Sequence, residues 1–97
     1  EGVMGMMIAP NLSKIRARVL RVEQSPKYPD KWELEFEIME SESLSGPNFA
    51  RAGERVKGFT FRETWDWAEP VMIEAAAEYL GGPAGGQFQL TELRAVQ

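Results

Sequence analysis

From Lys31 to Ile38 the sequence KWELEFEI alternates without a break, with Trp32, Leu34, Phe36 and Ile38 on one face and Lys31, Glu33, Glu35 and Glu37 on the other. Strict two-residue alternation of bulky apolar and charged side chains is the pattern of a strand that buries one face and wets the other. A helix would scatter the same residues around its circumference. Any fold for this chain must therefore supply a sheet with one solvated side.

The segment before it carries the same period with one fault. In SKIRARVLRVE, Ser13 to Glu23, Ile15, Ala17 and Val19 oppose Lys14, Arg16 and Arg18, and then the phase slips so that Leu20 and Val22 are the apolar partners. Such a half-step marks a β-bulge, which adds one residue and bends the strand. QSPKYPD, with two prolines and an Asp, makes the turn. A hairpin closed there, with its bulge at Val19–Leu20, sets Glu23 against Lys31, Arg21 against Glu33 and Arg18 against Glu37. All three pairs are opposite in charge, at about 0.2–1 kcal/mol each. The arginines of this strand are thus expected to be occupied by neighbouring glutamates rather than held for phosphate.

SESLSGPNFARAG, Ser41 to Gly53, reads as an extended loop, a flexible arm carrying one Phe. It has no Gly-rich run leading into a Lys-Ser/Thr pair, so it is no phosphate loop. A third strand follows near Arg55 to Arg62. Asp66 and Glu69, three apart, look like a capping box, and Pro70 falls in the first turn, where a missing N–H costs nothing. Met72, Ala76, Tyr79 and Leu80, joined by Ile73 and Ala77, lie on one helical stripe, and Gly81-Gly82-Pro83 supplies a stop. These signals predict a helix from Asp66 to about Leu80, with Glu69, Glu74 and Glu78 as its solvated face. In QFQLTELRAV, Phe88 and Leu90 alternate before the phase is lost, which leaves open one strand or two short ones.

Composition narrows the chemistry. The 97 residues suffice for one domain with a modest core. The chain has no Cys and no His, which removes disulfides, thiolate nucleophiles and the commonest metal ligands and acid–base groups. Glutamates alternating along a wet strand face are solvated rather than paired in a pocket, and they lack calcium-loop spacing. A non-enzymatic protein with no cofactor and no metal is expected. The opening EGVMGMMIAP is too short and poorly flanked for a membrane span or secretory signal, so a soluble, cytoplasmic protein without membrane contact is expected. Residues 1–12 are set apart as an N-terminal segment, expected to be in part a product of expression or processing, with Met4, Met6 or Met7 as candidate native starts. A single domain covers 13–97.

In sequence come KIRARVLRV, WELEFEI and AGERVKGFTF, then a single helix AEPVMIEAAAEYL, then QFQLTELRAV. In this order the chain resembles an OB-fold, a small Greek-key barrel with a helix between its third and fourth strands. The resemblance covers residues 13–97 and rests on element order and pattern. It implies a mostly β fold with one helix (α+β), in the order β-β-β-α-β(β). It also implies binding of single-stranded nucleic acid or oligosaccharide across strands two and three, with aromatics stacking bases and basic groups following phosphates.

The third strand fits that expectation and the second departs from it. Four of the ten aromatic residues fall between Phe59 and Trp67. At strand period, Arg55, Lys57, Phe59 and Phe61 share a face. On this reading Arg55, Lys57 and Arg62 hold phosphates, Phe59 and Phe61 stack bases, and the loop around Phe49 and Arg51 closes over the nucleic-acid strand as a further part of the binding site. Glu33, Glu35 and Glu37 would place carboxylates beside that path, and the net charge of −4 also opposes it. The competing reading of the phenylalanines is burial: a bulge at Gly58 would turn Phe59 and Phe61 inward with Val56, as barrel core. Burial is the reading favoured for these two, and it is expected also for at least one of Trp65 and Trp67 at the following corner. The alternative function is a protein-interaction or assembly module, with a protein partner or a second copy pairing on a surface of mixed charge.

Overall fold

The computed structural model describes residues 10–81 and 85–96. The segment VMGMMIA, considered as an additional strand, lies outside the described residues. Five strands form the structure: β1 (Leu12–Gln24), β2 (Lys31–Ser45), β3 (Arg55–Phe61), β4 (Val71–Leu80) and β5 (Gln87–Ala95). They close into a barrel in the order β1-β2-β3-β5-β4, with β4 returning to β1. Four seams are antiparallel, and β3 with β5 is the parallel one.

The predicted helix is absent, and among the described residues the fold is all β. The segment VMIEAAAEYL instead forms β4, in which Ile73, Ala75 and Ala77 are buried and Glu74 and Glu78 point outward. The segment fits both periods. Its alanines favour a helix in isolation, but a helix would leave the edges of β1 and β5 unpaired, and tertiary context overrides a weak propensity. The residues read as a capping box have other partners: Asp66 accepts from the Thr64 hydroxyl at 3.1 Å, and Glu69 accepts from the Val22 N–H at 3.1 Å. The Glu69–Pro70 peptide is cis.

The β1–β2 hairpin has its bulge where the phase slips, since the register shifts between Val19 and Arg21. Arg18 lies opposite Glu37 as expected, but Arg21 faces Glu35 and Glu23 faces Glu33. The extra residue, Leu20, belongs to β1 rather than to β2, which moves the partners of Arg21 and Glu23 two places along β2 from those expected and leaves residues 25–30 as the turn. Ser25 N–H donates to the Lys31 carbonyl at 2.9 Å and Lys31 N–H to that of Tyr28 at 3.0 Å. Arg18 and Glu37 form an ion pair at 3.0 Å. Two more irregularities leave Met39 and Leu44 exposed on β2.

The core has contributions from four strands and one loop. Ile15, Ala17 and Val19 come from β1, Leu34, Phe36 and Ile38 from β2, Ile73, Ala75 and Ala77 from β4, and Phe88, Leu90 and Leu93 from β5. Ala50, from the β2–β3 connection, plugs one end. β2 runs to Ser45, so the predicted loop is shorter than expected, and it is pinned: Asn48 Oδ1 accepts from Ser13 Oγ at 2.7 Å and from the Ala50 N–H at 3.0 Å. The last segment is one strand. Its lost phase is a bulge at Glu92, whose φ is 53°, which brings Leu93 inward three residues after Leu90.

Candidate functional site

β3 runs straight through Gly58. Its register against β2 is unbroken from Lys31↔Phe61 to Glu37↔Arg55. Gly58 faces inward, where a Cβ would fall 2.6 Å from the Phe88 carbonyl oxygen and 3.0 Å from the Phe36 ring. Only glycine permits so close an approach of β3 to β5. With Val56, Gly58 and Thr60 inside, Arg55, Lys57, Phe59 and Phe61 share the outer face, so the expected inward turn does not occur. The inner face of β3 is closed instead by the buried Thr60 hydroxyl, which donates to the Leu90 carbonyl at 2.8 Å.

The two phenylalanines nevertheless differ. Phe61 is 51% exposed, against the expected burial, whereas Phe59 is buried as expected at 8% exposure, though beside the main packed cluster rather than in it. Phe61 packs edge-on against Phe59 with ring centroids 5.7 Å apart, and the Lys31 ammonium sits 4.7 Å from the Phe59 centroid. Phe59 thus serves as the buried floor of an outer aromatic cluster, and Phe61 is its accessible part.

Arg55 and Lys57 stand on the same face beside the glutamates of β2. Arg55 reaches Glu35 at 3.8 Å, a long pair with the arginine 65% exposed. A small depression on the β1–β2–β3 face is lined by Arg21, Lys57 and the carboxylates of Glu23, Glu33 and Glu35. Its three carboxylates outnumber its two cations.

Arg51 is exposed in the β2–β3 connection. Arg62 is not part of this surface. Its guanidinium donates to the carbonyls of Leu93 and Thr64, each at 3.2 Å, and lies 4.6 Å from the Trp67 centroid. Trp32 Nε1 donates to the Arg62 carbonyl at 3.0 Å. Trp65 packs against both Trp32 and Trp67, and Trp65 and Trp67 are both half-buried against the core. Arg62 therefore closes the barrel end opposite Ala50, together with three tryptophans.

A groove missed by sequence reasoning opens where β3 and β5 part. The parallel seam consists of Gly58↔Phe88 and Phe59↔Gln89. On the N-terminal side of both strands a groove of about 570 Å³ is lined by Arg55, Val56 and Lys57 on one wall and Gly86 and Gln87 on the other, with Phe88, Tyr79 and Phe49 between. Phe49 stacks on Tyr79 at 5.2 Å, and Tyr79 meets Phe88 edge-on at 5.1 Å. Gly86 makes room for that stack, because a Cβ there would fall 2.3 Å from the Tyr79 ring. The helical period sets Tyr79 on a buried stripe, which hides its place at this rim.

Among the described residues no helix is long and apolar enough to cross a membrane, and no cluster of Asp and Glu has the arrangement of a metal site. No protein-family model, curated protein or solved structure matches the chain.

Proposed function

We propose that this five-stranded barrel is a non-enzymatic module that binds single-stranded nucleic acid through the outer face of β3 and the adjacent β2–β3 connection. The observation that carries this reading is the straight passage of β3 through Gly58, which sets Phe61, backed by Phe59, on the same face as Arg55 and Lys57. Stacking on an exposed ring contributes about 1–3 kcal/mol per base and is tolerant of sequence. The closed order β1-β2-β3-β5-β4 with one parallel pair supports an OB-like kind of barrel, in which ligands cross the strand-two and strand-three face. Arg51 adds a cation at the loop, whereas Arg62 supports the barrel. Phosphates run along the β3–β5 side, away from Glu33, Glu35 and Glu37. Absence of cysteine accords with a cytoplasmic place for such a protein.

The test is titration of a labelled oligothymidylate, followed by anisotropy at low and at physiological salt. Binding that weakens with salt, and weakens further when Arg55 and Lys57 are both changed to Ala, is the expected result. No change in anisotropy at micromolar protein and low salt would end the nucleic-acid reading. The mixed-charge surface would then be assigned to a protein partner, and sizing chromatography would show whether that partner is a second copy.

A further inference from the structure

The groove between the β2–β3 connection and the start of β5 adds an aromatic floor to the cations of the β3 face, and its size lies within the roughly 300–1,000 Å³ of small-molecule sites. Its floor is aromatic, and one ring is accessible: Phe49 is 36% exposed while stacked on Tyr79. One wall carries two cations, Arg55 and Lys57. Glu54 on the rim adds a carboxylate, an acceptor for N–H donors of a ligand. A flat π surface, adjacent cations and a lone acceptor together suit a planar heterocycle that bears N–H groups and is joined to an anion. A ligand without an anionic group would bring no counter-charge to the two cations.

We infer that this groove is a second base-binding station, which takes one nucleotide with its base on Phe49 and its phosphate on Arg55 and Lys57. The inference rests on the nucleic-acid reading for its ligand class; it shares Arg55 and Lys57 with the β3 face but takes its base on Phe49 instead of Phe61. β3 rises about 3.3 Å per residue, so Arg55 and Phe61 are roughly 20 Å apart along the strand. A single strand that engages both stations follows β3 from Phe61 to the groove, and its length is near the lower end of the roughly 4–16 nucleotides covered by barrels of this kind. The phosphates stay on the β5 side throughout. Gly86 is the residue that keeps the station open, since any side chain there displaces Tyr79 from beneath Phe49.

The experiment is an NMR titration of the intact protein with three probes: thymidine 5′-monophosphate, a short oligothymidylate and inorganic phosphate. The mononucleotide is expected to shift the amides of Lys57, Gly86 and Gln87 and the ring of Phe49, leaving Phe61 unmoved. The oligonucleotide is expected to shift both sets. Phe49→Ala should weaken mononucleotide binding roughly 5- to 150-fold, with dispersion of the core resonances unchanged because Phe49 lies outside the core. Oligonucleotide shifts confined to Phe61 and its neighbours, with the groove silent, would overturn the second station and leave the β3 reading intact. Groove shifts without any at Phe61 would support the station and overturn the β3 platform. Identical shifts from inorganic phosphate and the mononucleotide would reduce the groove to an anion site and overturn base stacking there. If no probe produces a saturable shift, both readings fall.

Discussion

The Lys31 ammonium lies 4.7 Å from the centre of the Phe59 ring, across the β2–β3 pair that sets Lys31 opposite Phe61. A cation over one aromatic and beside another creates a small patch where charge and stacking coincide on an otherwise acidic strand. Phe61 forms the accessible part of that patch. Phe61→Ala is expected to weaken oligonucleotide binding by about 1–3 kcal/mol. The melting temperature should stay near that of the parent, since the side chain is half exposed. Anisotropy and thermal circular dichroism check the two halves of the prediction. Equal loss of binding and of stability would show that Phe61 acts through the fold.

Arg62 should respond in the opposite way. Its two hydrogen bonds to carbonyls and its position over Trp67 tie β3 to β5 and to the segment before β4. Arg62→Ala leaves the Leu93 and Thr64 carbonyls without that donor, a loss of about 1–3 kcal/mol. Denaturant unfolding followed by tryptophan emission is the suitable measurement, because the three tryptophans share that end of the barrel. The slope of binding against salt should be unchanged. A shallower slope would return Arg62 to the phosphate-binding residues.

How much of this was legible in the sequence depended on whether a segment fits one period or two. Trp32 to Ile38 fits only the strand period, and it forms β2 as read. Val19–Leu20 showed its bulge through a phase slip, but the partners of Arg21 and Glu23 depended on which strand held the extra residue. Val71 to Leu80 satisfies both periods, because Ala75, Ala76 and Ala77 are small enough to face either way, and only the vacancy between β1 and β5 decides the outcome. The face of Phe59 turned on Gly58, where a bulge and a close approach have the same sequence trace. The groove had no local trace, since Phe49, Tyr79 and Gly86 meet only through the topology.

Gly58→Ala tests the close approach directly. The added methyl would meet the Phe88 carbonyl oxygen at 2.6 Å, and that atom belongs to the backbone of the short parallel seam. Overpacking of this kind costs about 1–3 kcal/mol. The midpoint of urea unfolding is expected to fall accordingly. A midpoint unchanged within error would mean that β3 bulges at this position after all, since a bulged glycine has space around it.

Stability should also depend on Glu74. The Arg16 guanidinium, hydrogen-bonded to it at 3.0 Å, holds the Glu74 carboxyl below the usual carboxylate range. Burial opposes that shift, and Arg94 and Lys14 add to it. The hydrogen bond that Arg16 donates to Glu74, with the charge of Glu40, raises Arg16 further above its already high value, so Arg16 does not titrate in this range. For a depressed carboxylate the unfolded chain takes up its proton first as pH falls. The contribution is therefore complete above the unfolded value and is lost as pH drops through the folded one. Glu74→Gln should be less stable than the parent at neutral pH and should converge with it in acid. Chemical unfolding across the acid range checks this, and parallel curves would show that Glu74 titrates alike in both states.

The assignment of residues 71–80 to a strand can be tested through its alanines. Ala75 and Ala76 are equivalent in helix propensity but opposite in a strand: Ala75 is 4% exposed and points into the barrel, while Ala76 faces outward, between Lys14 on β1 and Thr91 on β5. A β-branched residue at 76 lies on a pleated, half-buried surface and should gain up to about 1 kcal/mol. The same residue at 75 adds methyls to a filled core and should lose about 1–3 kcal/mol. In a helix the roles would reverse: Ala76 would lie on the packed stripe with Met72 and Tyr79, and Ala75 outside it would lose only the few tenths of a kcal/mol separating Val from Ala. Thermal melts of Ala75→Val and Ala76→Val should therefore move in opposite directions, with the far-ultraviolet spectrum remaining that of a β protein. A small loss for Ala75→Val beside a larger one for Ala76→Val would favour a helix, reopen the barrel between β1 and β5, and separate Tyr79 from the groove.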